Sequence, residues 1–265
     1  MRPGAGMDVI SWGMTDVGCV RTNNEDAFLI REDLCLYVVA DGVGGAAAGE
    51  IASDMFVSNC AEEFESYSGW NKDFRMLITR SFQNGNRKLR EHMQSNPETQ
   101  GMGCTAELIT FAGNQYFIGH VGDSRTYLIR DGELEQLTKD HSYIQEQIDL
   151  GLIKPEDAES HWLKNTIYRA VGGAEELDVD LIYGRVKDED IFLMCSDGLT
   201  DMVEDSQIRE ILTAGEGDLQ QRAEQLVDAA KQGGGNDNIT VLLCQVSMNS
   251  ISEKVSSYIQ GKLGI

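Results

Sequence analysis

The chain is poor in the features that mark several specialised classes of protein. Among its 265 residues there are 3 prolines, no Cys-x-x-C pair among the 6 cysteines, and no repeat or low-complexity linker. No stretch approaches the roughly 18 consecutive apolar residues of a membrane span. Basic residues number half the acidic ones, 22 against 44, for a formal charge of −22. Such a surface repels nucleic acid and anionic lipid headgroups but not divalent cations. Unpaired cysteines argue against a zinc site. Cys19, Cys35, Cys60, Cys104, Cys195 and Cys244 lie partly within apolar runs and are expected to be reduced and buried. The first seven residues carry one arginine and no apolar h-region. Together these absences predict a single cytoplasmic domain with no membrane or nucleic-acid partner.

What is present centres on Leu34 to Gly45. A seven-residue apolar run, Leu34 to Ala40, ends on Asp41, and Gly42, Gly44 and Gly45 follow. The run suits a buried strand, and glycine lets a ligand or another backbone come close, so Asp41 is a candidate metal ligand or acid at a strand end. An ordinary Asp-Gly turn is the competing reading at this point.

The rest of the chain divides by period. Strands are expected at Ile10 to Asp16, at Phe28 to Ile30 paired with Leu34 to Ala40, and at Thr105 to Phe111, Tyr116 to Val121 and Thr126 to Ile129. Further strands fall at Ile182 to Val186, Ile191 to Cys195 and Ile239 to Val246. Helical spacing runs over Glu50 to Phe64, Asp73 to Met93, Asp205 to Thr213 and Leu219 to Lys231, with Gly85 weakening the second helix. Arg130 to Glu133 carries an Asp-Gly hairpin signal. The segment from His141 to Thr166, with weak helices at Tyr143 to Leu150 and Pro155 to Trp162, suggests a lid or a plain surface insertion. Residues 247–265 read as a weakly amphipathic helical tail outside the core.

Asp197 repeats the pattern of Asp41, an acid before glycine at the end of an apolar run. Asp237 follows three glycines, and Asp123 follows Gly122. Ionised carboxylates brought within about 4 Å of one another cost roughly 4 kcal/mol per pair at an effective dielectric of ~20, so convergence of these four requires protons or cations. An all-oxygen donor set points to Mg²⁺ or Mn²⁺. Two such ions activate water and clamp a phosphoryl group. Arg21, just before Glu25 and Asp26, is the candidate grip on phosphate oxygens; a salt bridge to Glu25 or Asp26 is its bland alternative.

In this order the residues resemble the metal-dependent Ser/Thr protein phosphatase family (PPM, type 2C) in its compact bacterial form, over about Gly13 to Val246. The resemblance is carried by Arg21 to Asp26, Val39 to Gly45, Gly103 to Ala106, Gly122 to Arg125, Asp140 to Ser142, Arg169 to Gly172, Ser196 to Leu199 and Asp237 to Thr240. It implies an α+β fold, a four-layer α-β-β-α sandwich of two antiparallel sheets. The domain would occupy residues 1–246, with a core from about 8 to 246 and a flap over about 142–165. It further implies two Mn²⁺ or Mg²⁺ ions. Asp41 would bridge them, Asp197 and Asp237 would serve one, and Glu25 and the Gly42 carbonyl the other. Asp123 with Asp197 matches the pair for a third, weaker ion. Asp26 would orient metal-bound water, and Arg21 would bind the substrate phosphate.

The implied reaction is hydrolysis of phosphoserine and phosphothreonine in proteins by direct attack of a metal-activated water. The implied setting is a monomer opposing a bacterial Ser/Thr kinase. No Cys-x5-Arg nucleophile loop competes, and Cys19, close to Arg21, is expected to serve packing. One departure from the family pattern is evident: Val43, Ala46 and Ala47 stand where relatives place a histidine proposed as general acid. Metal-bound water is the expected substitute, with His141 and His161 as weaker candidates. The rival classes are an inactive, phosphoprotein-binding relative and a cation-binding structural protein; the first is opposed by the complete carboxylate set, and the second leaves Arg21 unexplained.

Overall fold

The computed structural model describes residues 7–248 apart from 45–47, 68–72, 155–156, 158–160, 162, 164–165 and 216. Among the described residues the strands form two sheets, and every pairing is antiparallel. The first sheet contains β1 (Met7–Asp16), β7 (Arg125–Arg130), β8 (Glu133–Gln136), β10 (Ile191–Cys195) and β11 (Ile239–Met248), in the order β1-β11-β10-β7-β8. The second contains β2 (Asp26–Arg31), β3 (Leu36–Val43), β5 (Ala106–Ala112), β6 (Gln115–Val121) and β9 (Asp180–Arg185), in the order β2-β3-β5-β6-β9. The two-residue β4 (Gly103–Cys104) pairs with β3.

Continuous apolar runs arise because the strands are buried on both faces. Along β3, Tyr37 and Val39 point between the sheets, while Leu36, Val38 and Ala40 face α1 (Gly49–Ser66) and α2 (Phe74–Ser95). Along β10, Phe192 and Met194 face inward. Ile191, Leu193 and Cys195 pack toward α5 (Asp205–Thr213) and α6 (Leu219–Gln232). Side chains that alternate every residue thus build three apolar layers, and these hold four layers of structure together.

The helices follow their sequence periods, although the apolar face that spacing assigns to α1, Ile51, Met55, Val57 and Phe64, is shifted. In α1 the fully buried row is Ala52, Phe56, Cys60 and Phe64, whereas Ile51 and Met55 are only partly covered. Gly85 is where α1 and α2 come together: a Cβ there would lie 2.9 Å from the Phe56 ring. Three other details differ from expectation. Residues Glu133–Gln136 complete the Asp131-Gly132 hairpin as an edge strand. Ser247 and Met248 continue β11 by pairing with Asp8 and Met7, so the strand extends two residues into the region read as tail. Cys19 is exposed, not buried; its Sγ donates to the Lys231 carbonyl at 3.8 Å and its backbone N–H to the Gly235 carbonyl at 2.7 Å. The remainder of the proposed tail helix, most of Pro155 to Trp162, and Gly45, Ala46 and Ala47 lie outside the described residues.

Candidate active site

The strand ends meet at one end of the sandwich. Strand β3 carries Asp41 and Gly42, β10 runs into Asp197 at the start of the short helix α4 (Asp197–Thr200), β11 begins just after Asp237, and the β6–β7 turn carries Asp123. These residues, together with Arg21, Glu25 and Asn238, line a cleft of about 260 Å³. Val43, Gly44 and Ile167 complete its described wall. Of the expected site residues, Asp26 alone does not line the cleft. It pairs directly with Asp41 across β2 and β3 and lies buried beneath it.

Hydrogen bonds hold Asp41, Asp26 and Glu25 from behind. Thr105 brackets Asp41, its Oγ1 accepting the Asp41 N–H at 3.0 Å and its own N–H donating to the Asp41 carbonyl at 2.8 Å. Ser196 Oγ donates to Asp26 Oδ2 at 2.7 Å and accepts the Thr240 N–H at 3.0 Å. The Glu25 carbonyl accepts from the Gly42 N–H at 3.0 Å and from Ser53 Oγ at 2.6 Å, which ties the Glu25 loop to β3 and α1. Arg21 Nη2 reaches Asp237 Oδ2 at 2.6 Å with 52% of its side chain exposed, so the salt-bridge partner is an acid 216 positions away and not Glu25 or Asp26.

The backbone packing around Gly42 is close. A Cβ there would fall 2.2 Å from the Gly49 carbonyl oxygen and 2.6 Å from that of Glu25, both main-chain atoms that cannot swing aside. Gly42→Ala is therefore expected to destabilise the protein by about 3 kcal/mol, measured by denaturant unfolding, because β3 and α1 must separate. A loss under about 1 kcal/mol would mean that the two elements adjust freely.

Crowding raises the carboxyl pKa values. Burial, then Asp26, Asp197, Asp123 and Asp237, push Asp41 well above the carboxylate range. Burial, then Asp123, Asp201, Asp237 and Asp26, do the same to Asp197. Asp26 is raised to about 6, chiefly by burial and against the Thr240 and Ser196 hydrogen bonds, and Asp123 to about 7 by burial and then Asp140. Burial and then Glu50 raise Glu25. Among the described residues three carboxylate oxygens, Asp26 Oδ1, Asp197 Oδ1 and Glu50 Oε2 on α1, are buried with no hydrogen-bond partner. A cation or a proton satisfies such atoms, and the donor set is hard oxygen throughout, so the residues fit Mn²⁺ or Mg²⁺. Among the described residues no three His, Cys, Asp or Glu side chains already enclose a common point, and Asp237 is turned onto Arg21.

Neither His141 nor His161 is among the described residues that line the cleft. His141 is buried behind the Gly122-Asp123 turn, with Nδ1 accepting the Gly122 N–H at 3.0 Å and Nε2 facing Arg169 and Asp180. Burial, then His120 and Arg169, lower its pKa to about 4, so it stays neutral. Its ring stacks on His120, itself bonded to Glu107. His161 lies in the expected flap. Ile167, two residues past the expected flap, lines the cleft. Helix α3 (Tyr143–Asp149) is capped by Ser142, Tyr143 N–H donates to the Thr166 carbonyl, and Tyr168 N–H to that of His141.

The fold and site define a four-layer sandwich with an acidic, arginine-guarded cleft at one end of its paired sheets. The family model described as protein phosphatase 2C matches residues 20–242. The chain is 39% identical over 232 residues to the serine/threonine protein phosphatase PstP of Mycobacterium tuberculosis, covering 88% of this chain and 44% of that protein. It is 38% identical over 240 residues to the protein phosphatase PhpP of Streptococcus pneumoniae, covering 89% and 96%. The crystal structure of the PstP catalytic domain in complex with two manganese ions superposes with a TM-score of 0.82 at 36% identity, covering 91% of this chain and 99% of that one. The chain belongs to the protein phosphatase 2C family. It spans less than half the length of the mycobacterial relative.

Proposed function

We propose that the chain is a metal-dependent protein phosphatase that hydrolyses phosphoserine and phosphothreonine in proteins. The observation that carries this reading is the carboxylate cleft, where the buried Oδ1 of Asp197 in its wall and that of Asp26 behind Asp41 lack hydrogen-bond partners and the exposed Arg21 guanidinium reaches Asp237. Asp41 would bridge two Mn²⁺ or Mg²⁺ ions, Asp197 and Asp237 would hold one, and Glu25 with the Gly42 carbonyl the other. Asp123 and Asp197 would share a third, weaker one. When bound, the ions supply positive charge to the phosphoryl oxygens and lower the pKa of attacking water. Asp26, set behind Asp41 by Ser196, would orient the attacking water. Arg21 offers its planar fork to the phosphate from the solvent side, where its charge offsets that of the substrate.

One chain supplies every group in this scheme, so a monomer suffices. Its substrates require a Ser/Thr kinase to form them, and the buried free thiols suit a reducing cytoplasm. Among the described residues no helix is long and apolar enough to cross a membrane.

The direct test is phosphate release from a phosphothreonine peptide on addition of Mn²⁺ or Mg²⁺. Folded, metal-saturated protein that releases none overturns the proposal. Arg21→Ala is expected to lower kcat/KM about 10²-fold with Mn²⁺ binding retained, and Arg21→Lys to recover part of the loss. A loss below about threefold in the alanine variant would return Arg21 to a surface ion pair.

A further inference from the structure

Asn238 is nearly fully buried, and its amide is saturated by three separate points of one loop. Its Oδ1 accepts the Glu25 N–H at 2.8 Å, and its Nδ2 donates to the carbonyls of Asn23 at 2.8 Å and Val17 at 3.1 Å. Its main chain is equally engaged. The Asn238 N–H donates to Asp237 Oδ1 at 2.8 Å, and a Cβ on Gly198 would lie 1.9 Å from its carbonyl oxygen, so the turn after Asp197 packs against it. One residue therefore joins the loop bearing Arg21 and Glu25, the acid Asp237, and the start of the Asp197 turn.

We propose that Asn238 is a positioning residue for the metal and phosphate sites, holding Glu25 and Arg21 in register with Asp237 and Asp197. The inference rests on the functional reading above, and it assigns to Asn238 no contact with the reacting atoms. The chemistry required is narrow. The loop presents one donor and two acceptors to a single planar group, and a primary amide meets all three, whereas a carboxylate of the same shape offers no donor to either carbonyl. In Asn238→Asp, negative oxygen would face the Asn23 and Val17 carbonyls, and the loop would be driven off the strand end. Groups that orient metal ligands without touching the ion typically set affinity by 10–100-fold, which is the scale expected here.

The test is calorimetric titration of Mn²⁺ into the full chain, wild type and Asn238→Asp, with thermal melting of the metal-free proteins alongside. We expect about 10- to 100-fold weaker Mn²⁺ binding per folded molecule and a raised KM for the phosphopeptide. A purely structural role would lower the melting temperature and leave the affinity of the folded fraction unchanged. Should the aspartate variant fold poorly, Asn238→Ser carries the same test with a smaller, neutral side chain. Mn²⁺ affinity within about twofold of wild type in a folded variant overturns the inference. Wild-type protein that binds no Mn²⁺ overturns the functional reading itself, so the two failures are distinguishable.

Discussion

Asp41→Asn is expected to lower kcat/KM on a phosphothreonine peptide at least about 10³-fold, roughly 4 kcal/mol of transition-state stabilisation, while making the metal-free protein more stable. The opposite signs have one origin. Asp41 sits among Asp26, Asp197, Asp123 and Asp237, and burial together with these neighbours makes its ionisation costly. A neutral, isosteric amide removes that cost from the metal-free fold. It also removes the carboxylate proposed to bridge two ions and turns N–H donors toward the cations. The backbone at position 41 stays in place, because Thr105 holds its N–H and carbonyl and neither bond involves the side chain. Phosphopeptide kinetics and thermal melting in chelator decide the matter. Activity within about tenfold of wild type would show that Asp41 is not the bridge, and lowered metal-free stability would show that the cluster is not under electrostatic strain.

Withdrawal of divalent ions is expected to take phosphate release to background, with full recovery on re-addition. It should also lower the melting temperature by an amount that depends on pH. At a free ion concentration about 100 times Kd the bound ion adds roughly 2.7 kcal/mol, or several degrees in a chain of this size. The pH dependence follows from the raised carboxyls. In the unfolded chain an aspartate ionises near its ordinary value of 3.8, whereas in the folded, metal-free protein Asp26 and Asp123 ionise at about 6 and about 7, and Asp41 and Asp197 are raised as well. Between these limits the folded state binds more protons than the unfolded one. Its stability is therefore greatest below the unfolded pKa and is lost as pH rises through the folded values. A cation takes the place of those protons, so the shift produced by Mn²⁺ should be larger at pH 8 than at pH 6. Melting curves in Mn²⁺ and in chelator at the two pH values measure it directly. A shift that does not change with pH would mean that the ion displaces no protons from these acids.

The longer helices and strands among the described residues and the acids at the strand ends were legible in the linear chain because they are local. Alternation and helical spacing report which side of a short segment meets apolar neighbours, and an acid followed by glycine marks where a strand stops. The family resemblance extended this reading to the sandwich and to the residue roles. Arg21 was recognised as a candidate, but its ion-pair partner was not. The two residues are joined only when β1 and β11 pair along their whole length and bring the loop after β1 to the turn that precedes β11.

Other features had no local signal. A histidine beside Asp140 reads as an available proton donor until the β6–β7 turn is seen packed on its ring. Asn238 reads as one more polar residue after Asp237. The face of α1 that is buried depends on the close approach of Gly42 to Gly49 and of Gly85 to Phe56, which no single-segment period contains. The sequence by itself therefore determined the elements, the acid-rich chemistry and the family. The tertiary structure decided which groups share the cleft, which acid lies beneath it, and which buried oxygens lack a partner. Periodicity is set by neighbours a few residues apart, whereas convergence is set by strand register and by backbone contacts between distant parts of the chain.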